Sequence, residues 1–301
     1  MPVSRRAVIA AAALAPLAAR LGLAGEPLIR RPIPSTGEML PAIGIGTSRR
    51  YEVEPTPDRV SPLRESVQRF VSLGGSVIDT APSYGTAEDV LGLILAEPDL
   101  RQKIFLASKV DTTGRDQTLA QFERSLQRMK VDTLDLVAVH NLIDVNDNLA
   151  VLRDLKSRKR IRYVGVTVWR DNQLDALEAV MKRESLDFIQ VNYAIDNRAA
   201  AERILPLAAE RGVAVMTNVP FGRDRLFKAV QGKDLPIVAK DLGCTSWPQF
   251  FLKYVLGNPA VTCPIPGMAK VAYVDDNLGA ARGPLPDQAQ RKQMEAFIDA
   301  V

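Results

Sequence analysis

Four side chains of reactive types stand at the ends of apolar, strand-like runs. The only histidine among the 301 residues, His140, ends the run 134–140. Asp79 ends an earlier run, Tyr84 follows it closely, and a third run ends at Lys109. Because the carboxyl ends of parallel strands meet at one edge of a barrel, we expect these side chains to lie close together. The pattern predicts a catalytic group made of these four residues.

The four residue types fit proton transfer to a carbonyl oxygen. A tyrosine with its ordinary pKa near 10 needs help to exchange a proton at neutral pH. The Lys109 ammonium would stabilise the phenolate of Tyr84, and the Asp79 carboxylate would keep that ammonium charged in an apolar surrounding. The His140 imidazole would orient a substrate oxygen toward Tyr84. Since no protein side chain donates hydride, this chemistry implies a nicotinamide cofactor.

Strand-like and amphipathic helical segments alternate along residues 25–301, which predicts an α/β fold built as a (β/α)8 TIM barrel. The predicted strands are 42–46, 76–80, 104–109, 134–140, 163–167, 188–191, 213–217 and 261–265. The helices predicted between them include 61–73, 118–129, 146–156, 172–182, 199–210 and 248–256. An open doubly wound sheet is the alternative, but no Gly-x-Gly-x-x-Gly follows an early strand. Residues 28–40, with Ser-Thr-Gly at 35–37, predict an N-terminal β-hairpin that closes the barrel floor.

The composition indicates a globular protein with small partners. Hydrophobic residues make up 47% and charged residues 25% of the chain. Arg5, Arg6 and Arg20 supply three of its four net positive charges, so the rest is nearly neutral and argues against a nucleic-acid partner. Two cysteines and one histidine, without a Cys-x-x-Cys, predict neither a disulfide framework nor a metal site. We expect a monomer that acts on a small carbonyl substrate.

Residues 1–24 are predicted to be a signal peptide. The pair Arg5-Arg6 precedes a weakly apolar stretch, and small residues flank a cleavage point after Ala24. The paired arginines are typical of twin-arginine export, which predicts a periplasmic protein without stable membrane insertion after cleavage. A general secretion signal or a disordered tail is the alternative, and an unused signal would leave the protein in the cytoplasm. Because twin-arginine export carries folded proteins, it favours a cofactor bound before export.

The string Asp-Thr-Ala-Pro-Ser-Tyr-Gly resembles the aldo-keto reductase family. Further matching segments extend over nearly the whole chain after residue 24, at 35–37, 44–47, 79–85, 108–109, 139–140, 265–267 and 277. The resemblance implies that Asp79, Tyr84, Lys109 and His140 form the catalytic tetrad. Tyr84 would be the general acid in carbonyl reduction and the base in the reverse reaction. The resemblance also implies NADPH bound across the barrel mouth without a metal ion.

The cofactor segments resemble the family less closely. Thr167 keeps the hydroxyl and Gln190 the amide that hold the nicotinamide carboxamide, but Val168 replaces an asparagine. Asn218 stands where the family often carries an aromatic residue that stacks on the nicotinamide. The expected cofactor contacts are Gly46, Thr47, Thr167, Gln190, Phe221, Arg223, Lys270 and Asn277.

The expected 2′-phosphate site also departs from the family. Gly267, Met268 and Tyr273 replace residues with which many members hold this phosphate, whereas Lys270 near the start of the last predicted helix offers a cation. NADP(H) is therefore favoured, with NAD(H) as the alternative. Arg49 and Trp169 are predicted to bind substrate. The loop that carries Arg49 replaces a family tryptophan, which indicates a site that tolerates polar or anionic groups.

These features predict an exported NADP(H)-dependent oxidoreductase that reduces an aldehyde or ketone to an alcohol. Two alternatives remain open. The same fold serves as a nucleotide-binding redox sensor with little turnover in the channel-associated β-subunits that this family resembles. A barrel that has lost its cofactor would explain Val168, Asn218 and Gly267, although the intact tetrad argues against it.

Overall fold

A computed structural model describes residues 26–301, so the predicted signal peptide lies outside the described residues. The described chain begins with an antiparallel hairpin of β1 (Arg30–Pro32) and β2 (Met39–Pro41). Ile33 and Leu40 from this hairpin are buried in the same cluster as the inward-facing barrel side chains. The hairpin therefore closes the barrel floor, as the sequence predicted.

Eight parallel strands follow in a sheet whose order is the order of the chain. They are β3 (Ile45–Gly46), β4 (Val77–Asp79), β5 (Phe105–Val110), β6 (Leu134–His140), β7 (Ile161–Thr167), β8 (Phe188–Asn192), β9 (Ala214–Asn218) and β10 (Cys263–Pro264). The sheet closes on itself because the N–H groups of Gly44 and Gly46 donate to the carbonyls of Pro264 and Pro266, each at 2.9 Å. A Cβ on Gly46 would lie 2.5 Å from the Ile265 carbonyl oxygen, so this contact requires glycine. The predicted (β/α)8 barrel is confirmed.

The helices surround the strands and cover their outer faces. They are α1 (Pro57–Ser72), α2 (Ala87–Ile94), α3 (Pro98–Arg101), α4 (Arg115–Met129), α5 (Val145–Ser157), α6 (Leu174–Arg183), α7 (Ala200–Glu210), α8 (Arg225–Ala229), α9 (Ile237–Asp241), α10 (Trp247–Leu256), α11 (Val271–Gly279) and α12 (Gln288–Asp299). Since α12 follows α11, the helix that Lys270 precedes is not the last one. None of the helices within residues 26–301 is long and apolar enough to cross a membrane.

Two layers of apolar side chains hold the barrel together. The larger layer fills the space between strands and helices, and the smaller one fills the barrel interior. Inside the barrel, the rings of Phe105, Tyr163 and Phe188 pack with centroids 5.5 to 5.9 Å apart. Aromatic pairs at these distances add to the stability of the packed interior. The filled interior provides a rigid base for the carboxyl ends of the strands, where the polar residues gather.

Candidate active site

A buried ion pair joins two neighbouring strands at the upper edge of the barrel. Lys109 Nζ on β5 lies 2.9 and 2.8 Å from the two carboxylate oxygens of Asp79, which ends β4. The ammonium also donates to the Thr80 carbonyl at 2.8 Å. Burial lowers the pKa of Lys109, but the charges and hydrogen bonds of Asp79 and Tyr84 together raise it by more, so the net pKa is raised. The pair therefore holds a positive charge at a defined place beneath the cavity.

Tyr84 lies beside this pair on the loop after β4. The Lys109 ammonium is 5.2 Å from the centre of the Tyr84 ring. Burial raises the pKa of the Tyr84 phenol above 10, while the Lys109 ammonium acts in the opposite direction. The expectation that Lys109 stabilises the phenolate is right in sign, but burial outweighs it. Tyr84 consequently holds its proton at neutral pH and can donate it.

His140 ends β6 on the other side of Tyr84, with the two ring centroids 6.2 Å apart. Its Nδ1 lies 3.4 Å from Asp111 Oδ2 and 3.5 Å from Ser83 Oγ. The contact with His140 is the main reason why the pKa of Asp111 is lowered to about 2. Asp111 was not predicted from the sequence, although its place two residues after Lys109 puts it at the same strand end.

A cavity of about 470 Å³ opens at this edge of the barrel. Tyr84 and His140 line it, so the two groups that would handle a substrate oxygen face one space. Lys109 does not line it and lies beneath Tyr84, 2% exposed. The other predicted site residues that line the cavity are Gly46, Thr47, Arg49, Asp79, Thr167, Trp169, Gln190, Phe221 and Arg223.

Two predicted cofactor residues lie outside the lining of this cavity. Lys270 is exposed just before α11, where its Nζ lies 5.6 Å from the centre of the Tyr273 ring. Asn277 is buried within α11, 3% exposed. The structure thus brings together the predicted contacts for one end of a long ligand. Asn277 lies on a separate helix, α11, and Lys270 directly precedes that helix.

The predicted carboxamide site has a defined hydrogen-bond pattern. The Thr167 hydroxyl donates to Gln190 Oε1 at 2.8 Å, which leaves the Gln190 amide N–H groups available. Val168 is fully buried, so it offers the cavity neither a donor nor an acceptor. Asn218 is turned toward the neighbouring backbone, because its Nδ2 donates to the Val168 carbonyl at 3.1 Å. The site therefore keeps two of the three polar groups that the resemblance implies.

Arg49, Arg50 and Arg223 line the cavity, and Arg170 and Arg225 lie close enough to Arg223 to influence its charge. Arg50 and Arg225 have carboxylate partners, Asp224 at 3.7 Å and Asp196 at 2.9 Å. None of the ion pairs within residues 26–301 includes the remaining three, which are Arg49, Arg170 and Arg223. Arg49 and Arg223 were predicted here from the sequence, whereas Arg170, which directly follows the predicted site residue Trp169, was not.

Comparison with known proteins agrees with this architecture. The model of the aldo/keto reductase family matches residues 42–298. The chain belongs to the aldo/keto reductase family. This membership confirms the resemblance read from the sequence and makes the protein an oxidoreductase of carbonyl compounds.

Individual members of the family are distant relatives. Methylglyoxal reductase YeaE of Escherichia coli is 29% identical over 245 residues, covering 79% of this chain and 84% of that protein. Aldo-keto reductase YhdN of Bacillus subtilis is 28% identical over 167 residues, and the match spans half of each protein.

Solved aldo-keto reductases share the whole barrel. The thermostable enzyme Tm1743, in complex with the inhibitor epalrestat, has a TM-score of 0.74 at 27% identity, over 90% of this chain and 100% of that chain. The enzyme of Klebsiella pneumoniae in complex with NADP and acetate also gives 0.74, at 24% identity, over 87% of this chain and 92% of that one. At these identities the likeness concerns the fold and leaves the substrate open.

Proposed function

We propose that this aldo/keto reductase uses NADP(H) to reduce an aldehyde or ketone, with Tyr84 as the proton donor. The observation that carries the proposal is that Tyr84 and His140 face one cavity above the buried Lys109–Asp79 pair. A protonated phenol and an imidazole on one face are suited to bind and protonate a carbonyl oxygen.

The residues around the cavity fit a nicotinamide dinucleotide. The free N–H groups of Gln190 and the Thr167 oxygen match the polar atoms of a carboxamide. Phe221 offers an apolar ring, and Gly46 and Thr47 leave room at the first barrel strand. Arg223 and Lys270 carry positive charge toward the phosphate groups, and Asn277 lies on the helix that Lys270 precedes. We assign these residues to cofactor binding, and Arg49 and Trp169 to substrate binding.

Each member of the tetrad has a distinct task. When its ring carries a proton on both nitrogens, His140 donates a hydrogen bond from Nε2 to the substrate oxygen and holds that oxygen near the Tyr84 hydroxyl. Tyr84 then gives its proton to that oxygen as negative charge develops on it. The Lys109 ammonium stabilises the phenolate that remains, and Asp79 keeps the ammonium in place. The hydride that reduces the carbonyl carbon is supplied by NADPH when it is bound.

Nucleotide binding tests this proposal most simply. The purified protein would be titrated with NADPH and with NADH while its intrinsic fluorescence is followed. We expect micromolar or tighter binding, stronger for NADPH. Binding followed by NADPH consumption with an aldehyde supports a reductase, and binding without turnover of a broad aldehyde panel supports the sensor alternative. Failure to bind either nucleotide would contradict the proposal and favour a barrel that has abandoned its cofactor.

We further propose that residues 1–24 direct export through the twin-arginine route and that the mature protein acts in the periplasm as a monomer. The paired arginines and the small residues before position 25 support export. A cofactor bound in the cytoplasm before export would reach the periplasm with the protein, where no nicotinamide cofactor is made.

A further inference from the structure

Arg49 and Arg223 line the cavity, Arg170 stacks on the cavity residue Trp169, and none of the three forms an ion pair within residues 26–301. We call these three residues the arginine cluster. We propose that the arginine cluster binds a carboxylate or phosphate group of the substrate, so that the preferred substrates are anionic aldehydes or ketones; Arg223 then serves both this group and the cofactor phosphates to which it is assigned above. The proposal rests on the proposed function, because it concerns the substrate of the same cavity.

Trp169 brings the cluster together. The guanidinium carbon of Arg223 lies 4.2 Å, and that of Arg170 4.7 Å, from the centre of the Trp169 ring. Guanidinium groups stacked on an aromatic face keep their N–H edges free for a planar oxyanion. The stack therefore orients two cations without using their hydrogen-bond donors.

The positive charges of the cluster oppose one another. Burial lowers the pKa of Arg223, and the charges of Arg49 and Arg170 lower it further. All three arginines are exposed, and like charges held near one another repel until an anion lies between them. Arg49 and Arg223 also adopt left-handed backbone conformations, with φ of 61° and 54°, which residues other than glycine rarely adopt. Such conformations are concentrated at functional sites.

The arginine cluster lies where one substrate molecule could place its carbonyl at Tyr84 and its anionic group at the cluster. Arg49, Trp169 and Arg223 line the same cavity as Tyr84 and His140. A substrate with its carbonyl at Tyr84 would extend toward the mouth, where its second group meets the cluster. A carboxylate or phosphate there would form ion-paired, bidentate hydrogen bonds with the guanidinium groups, whereas an ester carbonyl offers one weaker, neutral acceptor.

The anion could also come from the cofactor pyrophosphate, and direct binding separates the two sources. Calorimetry would measure succinate binding to the full protein with and without saturating NADP⁺. We expect succinate to bind in the presence of NADP⁺, and Arg170→Gln to weaken it at least about tenfold, as for lost hydrogen bonds to a charged group. Arg183→Gln removes a charge far from the cavity, from a residue paired with Glu184, and serves as the matched control. Displacement of succinate by NADP⁺, or no succinate binding, would overturn the proposal.

Turnover gives a second, independent readout. The wild type is expected to reduce 4-oxobutanoate with a kcat/KM at least about tenfold above that for its methyl ester. Arg170→Gln should raise KM for the acid and leave the ester and the Kd for NADPH nearly unchanged. Equal losses for both substrates with weaker NADPH binding would assign the cluster to the cofactor. Succinate binding without reduction of either compound would retain the anion site and reject the reductase function, so the two failures are distinguishable.

The contact between His140 and Asp111 carries a second inference. We infer that Asp111 is a positioning residue that keeps the proton of neutral His140 on Nδ1, so that Nε2 faces the cavity. Asp111 itself is held by Gln121, whose Nε2 donates to Asp111 Oδ1 at 2.6 Å and whose Oε1 accepts from the Asp111 N–H at 2.9 Å. A carboxylate fixed in this way only accepts hydrogen bonds, so it selects the ring form with a proton on Nδ1. Nε2 then donates to a substrate oxygen only when the ring carries a second proton.

Because His140 is the only histidine, nitrogen NMR of the untagged protein labelled with ¹⁵N-histidine reports this ring alone. At alkaline pH we expect a protonated Nδ1 and an unprotonated Nε2. Asp111→Ala should shift the proton toward Nε2, and Asp111→Asn, which retains an acceptor oxygen, should largely restore the wild-type spectrum. The pH dependence of carbonyl reduction should move in Asp111→Ala and return toward wild type in Asp111→Asn. A wild-type ring with its proton on Nε2, or a spectrum unaffected by Asp111→Ala, would overturn the inference.

Discussion

At the scale of single residues, the site depends on a buried ion pair, Asp79 and Lys109, that lies beneath the Tyr84 phenol. Asp79 and Lys109 are 4% and 2% exposed, so neither charge is screened by water. Tyr84 lies above this pair, and His140 lies beside Tyr84. This arrangement gives the phenol both a proton to donate and a cation to stabilise what remains.

The raised pKa of Tyr84 predicts how reduction depends on pH. Because the acid must carry its proton, the active form is present below the pKa and is lost as the pH rises through it. Burial raises this pKa above 10, so we expect the fall in kcat/KM that comes from loss of the Tyr84 proton to lie above pH 10, separate from any change caused by loss of the second proton of His140. Initial rates of NADPH consumption from pH 7 to 11 would show this. The same fall in the residual activity of Tyr84→Phe would contradict its assignment to Tyr84.

Removal of one partner of the buried pair should destabilise the fold. Lys109→Met would leave the Asp79 carboxylate buried without a counter-ion, which costs about 3 kcal/mol or more. Urea denaturation followed by circular dichroism measures the free energy of unfolding. As a matched control, Lys156→Met breaks the exposed pair with Asp187 and should cost about 1 kcal/mol or less. Equal costs for both variants would show that the Lys109 pair is not held in a dry site.

The sequence could predict that Asp79, Tyr84, Lys109 and His140 lie together because each stands at or near a strand end, which is a local signal. Asp111 was not found because its role depends on His140, which lies on the next strand, 29 residues away. Arg170 was not found because only the folded mouth brings its guanidinium to the same indole as Arg223. Contacts between loops of different strands leave no periodic pattern in one sequence.

At the scale of elements, the strands were predicted well and some helices were not. Strands β4 to β9 lie within about two residues of their predicted bounds because β-branched runs mark them clearly. Helix α12 was missed because it is largely polar, with Met294 and Ile298 as its buried residues. Helix α2 was missed because it is short and contains Gly92, where a Cβ would lie 2.1 Å from the Arg128 carbonyl oxygen of α4. That glycine allows the two helices to pack closely, although glycine has a low helix propensity and its presence therefore counts against predicting a helix.

The start of helix α11 leads us to predict that the protein binds NADPH more tightly than NADH. Lys270 precedes its first turn, which holds no acidic residue, so its charge and the helix dipole both attract a phosphate. We expect Lys270→Ala to raise the Kd for NADPH about tenfold and the Kd for NADH less than about twofold. Fluorescence titration measures both constants, and Lys240→Ala on α9 is the control. A uniform loss for both nucleotides would assign Lys270 a structural role instead of recognition of the 2′-phosphate.

At the scale of the whole molecule, one barrel closes its floor with a hairpin and leaves its upper edge open to ligands. All four tetrad residues and most of the predicted ligand contacts lie at that edge, as expected for a barrel of this type. Residues 1–24 lie outside the described part of the chain. They are the one segment whose proposed task concerns location instead of chemistry.

Export can be tested with the N-terminal segment on a folded reporter. Residues 1–25 would be fused to a fluorescent protein that matures in the cytoplasm, and the periplasmic fraction would be assayed in a bacterium with a twin-arginine system. We expect export of the fusion, and its loss when Arg5 and Arg6 are both changed to Lys. Export that survives this double change would remove the twin-arginine proposal.

The central claim is that Tyr84 donates the proton in NADPH-dependent carbonyl reduction. The most direct test compares NADPH consumption by wild type and Tyr84→Phe with the same aldehyde, together with the Kd for NADPH of each protein. Phenylalanine keeps the ring and removes only the hydroxyl, so the fold and the cofactor site should be retained. We predict a loss of at least about a hundredfold in kcat with the Kd nearly unchanged. Equal activity in the two proteins would contradict the mechanism.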